Sequence, residues 1–170
     1  MIEPFSEALV RQGVSFGTTS YGYDMRVSDR FQVLRPGAGG ILDVKHLAED
    51  LFEQIQTEVL DLAPHSLAVG RSMEYFRIPR DVLAVCFGKS TYARCGLVVN
   101  VTPLEPEWEG FVTMSLVNNS PLSVRVYANE GIAQVVFLGA AAVCDISYKD
   151  RRGKYQAQSG IVFPRVEKGP

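Results

Sequence analysis

Apolar and polar residues alternate in short runs along most of the chain, and proline, glycine and asparagine separate the runs. A period of two puts every second side chain on one face of an extended strand, so each run predicts a half-buried strand. The runs at 24–27, 30–34, 58–62, 66–76, 83–87, 97–102, 110–117, 122–127 and 132–137 fit this pattern. Their β-branched and aromatic content and their turn spacing predict an all-β antiparallel sandwich or barrel. One stretch departs from the pattern. Across 44–55, Val44, Leu47, Leu51, Phe52 and Ile55 recur at helical spacing behind Asp43, a residue suited to cap a helix. That spacing predicts one short helix.

The segment RPGAGG, 35–40, reads as a loop, and the chain carries no linker-like stretch or internal repeat. The 170 residues therefore read as one domain, 1–170, long enough to bury a core. A charged fraction of 21% against 46% hydrophobic residues argues for a globular chain over a disordered one. The net charge of −2 offers nucleic acid no overall attraction. The longest apolar run, 131–143, contains Gln134 and is too short to cross a bilayer. The start, MIEPFSEALVRQG, lacks the charged-then-apolar order of a signal peptide, so the expected location is the cytoplasm. Neither nucleic acid nor membrane is expected as a partner. Cys86, Cys95 and Cys144 are odd in number and form no CxxC pair, which argues against a disulfide framework or a cysteine zinc site.

Four polar, glycine-punctuated segments interrupt the apolar strands. SYGYDMR, 20–26, is a turn feeding a strand. GKSTYARCG, 88–96, packs two cations, two hydroxyls and two glycines into nine residues, the groups that a polyphosphate engages through charge-assisted hydrogen bonds. It is not a P-loop, because the earlier glycine of that motif is absent, and a solvated basic turn is the plain alternative. NVTPLEPEWEG, 100–110, sets three carboxylates around the single tryptophan. Such carboxylates can orient water, bind a sugar hydroxyl or hold a metal, or they can form an acidic hairpin tip over a packed indole. YKDRRGKYQAQSG, 148–160, is basic and bounded by glycine near the C-terminus, which suits a closing arm or a solvated tail.

Taken in order, SYGYDMR, GKSTYARCG, NVTPLEPEWEG, NEGIAQV and DRRGKYQAQSG resemble the motifs of the dCTP deaminase branch of the trimeric dUTPase-like superfamily. The resemblance runs from about Tyr21 to Pro164. It implies a distorted β-barrel or jelly-roll subunit and a homotrimer with active sites between subunits. Each site would bind a deoxypyrimidine triphosphate, dCTP or dUTP, with Mg²⁺ carried by the triphosphate. The implied reaction is conversion of dCTP and water to dUTP and ammonia, supplying dUMP and dTTP synthesis. By the same resemblance Lys89, Ser90 and Thr91 would sit at the phosphates and Arg94 beside the reacting base. Val99, Pro103 and Glu105 would line the base and deoxyribose pocket. Tyr148, Lys154 and Gln158 would belong to an arm, about 148–170, that closes over the triphosphate.

The sequence departs from the family pattern at one position. The deaminases carry a glutamate five residues beyond the glycine of the EPEWEG-like turn, and here that residue is Ser115. The zinc-deaminase signature, H-x-E with P-C-x-x-C, is also absent, so no zinc is expected to activate the water. The catalytic candidates are thus Ser90, Arg94, Glu105 and Ser115, with the last unable to act as a base near pH 7 unless another group activates it. Some dUTPases of the superfamily have a serine-containing strand here and use an acidic residue at the place of Glu105 to orient water onto the α-phosphate. A dUTP or dCTP pyrophosphatase and a non-catalytic nucleotide-binding homologue are therefore the alternatives. Elsewhere Cys86 reads as core, Cys95 as partly buried, His46 as a surface residue and Arg71 as an interface residue.

Overall fold

The computed structural model describes residues 1–35, 37 and 39–166. Eleven strands follow one another: β1 (Ile2–Glu3), β2 (Gly17–Thr18), β3 (Gly22–Leu34), β4 (Phe52–Gln56), β5 (Val59–Leu62), β6 (Leu67–Arg77), β7 (Val82–Gly88), β8 (Leu97–Asn100), β9 (Glu109–Asn118), β10 (Val124–Tyr127) and β11 (Gly131–Gly139). A single helical turn, α1 (Ser90–Ala93), separates β7 from β8, and a 3₁₀ turn covers Glu49–Leu51. The main sheet runs β7-β11-β3-β6-β9-β8, with β1 added to β6 and with β2 and β4 added to β3. Its two ends meet. The chain after β8 bridges β7, where Ala84 and Leu104 exchange both backbone hydrogen bonds at 3.0 and 2.8 Å. The result is the distorted, nearly closed barrel of the dUTPase-like type, with β5 and β10 forming a separate ribbon.

Strand alternation decides what faces inward. On β9, Val112, Met114 and Leu116 are fully buried, while Phe111, Thr113 and Ser115 face the other way. On β6, Ala68, Ser72, Glu74 and Phe76 point into the barrel, beside Tyr23, Met25 and Val27 of β3. Fully burying a side chain the size of Met114 or Phe76 contributes about 1.5–3 kcal/mol each, so these strands carry much of the core. Of the two polar residues that β6 buries there, Ser72 and Glu74, the second carries a charge. Its carboxylate accepts the Arg26 N–H at 3.0 Å and the Arg26 Nε–H at 2.7 Å, which satisfies the charge that burial would otherwise penalise. It sits in the β6 segment whose pairing with β9 shifts register between Arg71 and Tyr75. Burial still pushes its pKa above the usual carboxylate range.

The predicted strands recur with small changes of boundary, except that 24–27 and 30–34 are one continuous strand, β3. The helix expected at 44–55 does not form. Its first half is exposed, irregular chain, and its second half is the 3₁₀ turn followed by β4, which pairs with β3 through Ile55 against Phe31 and Phe52 against Leu34. No apolar surface faces Val44, which is 67% exposed, so the helical periodicity had nothing to bury against. Among the described residues, the one α-helical turn lies instead at Ser90–Ala93. Of the loop expected at 35–40, residues 36 and 38 lie outside the described residues.

Candidate functional site

The outward face of β9 is covered by the C-terminal segment. Trp108 is buried, and its Nε1–H donates to the Tyr155 carbonyl at 2.9 Å. From there the Ala157 N–H donates to the Glu109 carbonyl and the Phe111 N–H to the Gln158 carbonyl, both at 2.9 Å. The segment runs parallel to the start of β9 and bridges it at Gly110. Only glycine fits there: φ is +147°, and a Cβ would stand 2.8 Å from the Gln158 nitrogen. Farther along, Thr113 Oγ1 donates to Gln158 Oε1 at 3.0 Å and accepts the Val162 N–H at 3.3 Å. Phe163 packs against Phe52 with ring centroids 4.9 Å apart.

Between this segment, β9 and the 100–105 stretch lies a cavity of about 450 Å³. Pro103, Glu105, Ser115, Tyr148 and Gln158 all line it. Ser115 stands mid-sheet, paired with Val69 of β6 and Asn100 of β8. Glu105 is partly exposed, 3.6 Å from Arg151 Nη1. It is the one carboxylate among the described residues that line the cavity. Tyr148 is fixed at both ends: its N–H donates to the Pro106 carbonyl and its hydroxyl accepts the Tyr155 N–H, both at 3.0 Å.

The remaining candidates lie elsewhere. Thr91 and Arg94 line a second cavity, of about 740 Å³, with Val14, Leu122, Arg125 and Tyr127, and no residue lines both cavities. Ser90 is exposed at the start of α1. Lys89 is mostly buried, its ammonium paired with the Asp24 carboxylate of the SYGYDMR segment. Val99 points into the core, because alternation along β8 gives the cavity-lining position to Asn100. Lys154 is exposed, its ammonium 5.4 Å from the Tyr155 ring, and lines neither cavity. Among the residues missed in the sequence, Thr113 was within reach, since it shares Ser115's parity on β9. Phe163 was not, because nothing local shows that the tail folds back. Cys95 is exposed, not partly buried as expected, because α1 ends before it and Gly96 turns the chain. Cys86 packs against the core, and burial pushes its thiol up to about 12.

The family model described as dCTP deaminase-like matches residues 1–139. The chain belongs to the dCTP deaminase-like family. It is 54% identical to a dCTP deaminase of Acidobacterium capsulatum, over 98% of this chain and 91% of that one. It is 53% identical to a dCTP deaminase of Methylococcus capsulatus with the same shares covered. The fold also matches the crystal structure of the 2′-deoxycytidine 5′-triphosphate deaminase from Agrobacterium tumefaciens, with a TM-score of 0.61 at 13% identity. That match covers 80% of this chain and 42% of the other, so the chain spans about two fifths of that protein's length. The dUTPase of Staphylococcus bacteriophage 80alpha has a TM-score of 0.50 at 14% identity, with 84% of this chain and 90% of the other covered. Within this dCTP deaminase-like chain, no group of three His, Cys, Asp or Glu side chains among the described residues is arranged to hold a metal ion. No helix there is long and apolar enough to cross a membrane.

Proposed function

We propose that this family member binds a deoxypyrimidine triphosphate and converts dCTP and water to dUTP and ammonia. The observation that carries the reading is the single cavity that gathers Pro103, Glu105, Ser115, Tyr148 and Gln158 in a chain of this family. Deamination needs water delivered to C4 of cytosine, a group that takes the water's proton, and a proton returned to the departing amine. Glu105 is the carboxylate at hand in the cavity. In this reading it accepts the deoxyribose 3′-hydroxyl, while Arg94 stands beside the base and Ser90, Thr91 and Lys89 serve the phosphates. Tyr148, Lys154 and Gln158 close over the triphosphate. Ser115 supplies no base, and loss of a general base costs about 10²–10⁴-fold, so the turnover is slow.

The separation of Thr91 and Arg94 from Glu105 and Ser115 supports a site completed between copies of the chain, as in a homotrimer. Phe87 and Leu138, 57% and 49% exposed on one outer face of β7 and β11, fit such an assembly. Mg²⁺ would be held by the triphosphate oxygens. We place the protein in the cytoplasm.

A second reading is favoured by the pairing of Glu105 with Ser115 in one cavity. A pyrophosphatase would use Glu105 to orient water onto the α-phosphate of dUTP or dCTP, giving the monophosphate and pyrophosphate. A third is nucleotide binding without turnover. Product analysis separates the three, with dCTP and dUTP supplied separately with Mg²⁺, nucleotides resolved by chromatography and ammonia assayed in parallel. Ammonia and dUTP from dCTP are the expected result. Monophosphate and pyrophosphate without ammonia would replace the deaminase reading with the second. Binding without any product would leave the third.

A further inference from the structure

Arg80 sits in the short connection between β6 and β7 and lines neither cavity, yet it joins three separate parts of the chain. Its Nη1–H donates to the Glu107 carboxylate at 2.7 Å. Its Nη2 donates to the Asp150 carboxylate at 2.7 Å and to the Asp145 carbonyl at 3.0 Å. Its Nε–H donates to the Cys144 carbonyl at 3.2 Å. The guanidinium is thus directed at the acidic turn on one side and at the root of the C-terminal segment on the other.

Both sets of partners lead directly to residues of the Glu105 cavity. Glu107 is next but one to Glu105, holds a left-handed φ of 61°, and accepts the Gln156 Nε2–H on its carbonyl at 2.9 Å. The Asp150 carboxylate also accepts the Ser147 N–H at 3.0 Å, which closes the turn containing Tyr148. Tyr148 in turn donates its N–H back to Pro106 in the acidic turn. The contacts of Arg80 with Glu107 and Asp150 therefore both lead to the spacing between Glu105 and Tyr148.

We propose that Arg80 is a positioning residue: its guanidinium fixes the acidic turn and the root of the arm at one separation and so places Glu105 and Tyr148 in the cavity. The proposal rests on the nucleotide-site reading given above. A rigid planar fork with five N–H donors can serve carboxylates and carbonyls on two sides at once. A lysine has one ammonium at the end of a flexible stem, so it keeps the charge without keeping the separation.

The test uses Arg80→Gln and Arg80→Lys with two readouts, tryptic cleavage at Lys149, Arg151, Arg152 and Lys154 without nucleotide, and dCTP binding by calorimetry with Mg²⁺. Arg80→Gln is expected to speed cleavage across 149–154 and to weaken dCTP binding, each on the order of tenfold. Arg80→Lys should recover only part of both effects. Glu107→Gln with Asp150→Asn, leaving Arg80 intact, should reproduce the losses and guards against misfolding of the arginine variants. Unchanged cleavage in Arg80→Gln would overturn the proposal whatever the ligand. Faster cleavage with unchanged binding, or full recovery in Arg80→Lys, would overturn the positioning role and leave the nucleotide reading standing. A wild-type protein that binds no deoxypyrimidine triphosphate would overturn both.

Discussion

Ser115 and Glu105 share one cavity, but their side chains differ in what they can do with a proton. A serine hydroxyl holds its proton near neutral pH, whereas a carboxylate can take one from water and pass it on. Ser115→Glu should therefore raise ammonia release from dCTP by about 10²-fold or more, measured as initial rate at saturating substrate. An unchanged or lower rate would mean that residue 115 is not where the base is needed. The departure at this position was legible from the sequence, since it follows from counting beyond a glycine. The burial of Lys89 was not. A lysine in a glycine-flanked polar segment looks solvated, and only the fold brings the Asp24 carboxylate against it.

At the scale of elements, the stretch at 44–55 shows how periodicity is overruled by what lies across from it. Phe52, 7% exposed, is buried between β3 and Phe163 of the tail, neither of which its local sequence could specify. Phe52→Ala should cost about 3 kcal/mol in chemical denaturation, with the loss falling on β4 and on the tail above it. A cost below about 1 kcal/mol would argue against that packing. The arm makes a separate prediction. The Ser147 N–H and then Arg80 hold the Asp150 carboxyl below the usual range. A carboxyl whose pKa is depressed by folding adds stability above its unfolded value, about 3.9, and loses it as pH falls through the folded value. Thermal unfolding should accordingly fall more steeply on acidification below about pH 4 in the wild type than in Asp150→Asn. Equal slopes would show that Asp150 is not engaged.

At the scale of the molecule, the candidate residues that line a cavity fall in two cavities that share no lining residue, Thr91 and Arg94 in one and Pro103, Glu105, Ser115, Tyr148 and Gln158 in the other. If assembly joins those halves, Arg94→Ala and Glu105→Ala should each lose activity alone. Mixing the two after dissociation should then restore part of it, because some sites would take their intact halves from different copies. No recovery in assemblies shown to be mixed would place the whole site within one chain. The sequence by itself determined the strands, β1, β2 and β4 excepted, because a period of two is a local property and each run carries its own buried face. It also determined the family, through five motifs in order, and the serine at 115. Only the tertiary structure decided that 44–55 ends in a strand, that Val99 faces the core, and that the tail lies over β9. Those outcomes depend on contacts between residues far apart in the chain, and pairing across such distances leaves no local pattern to read.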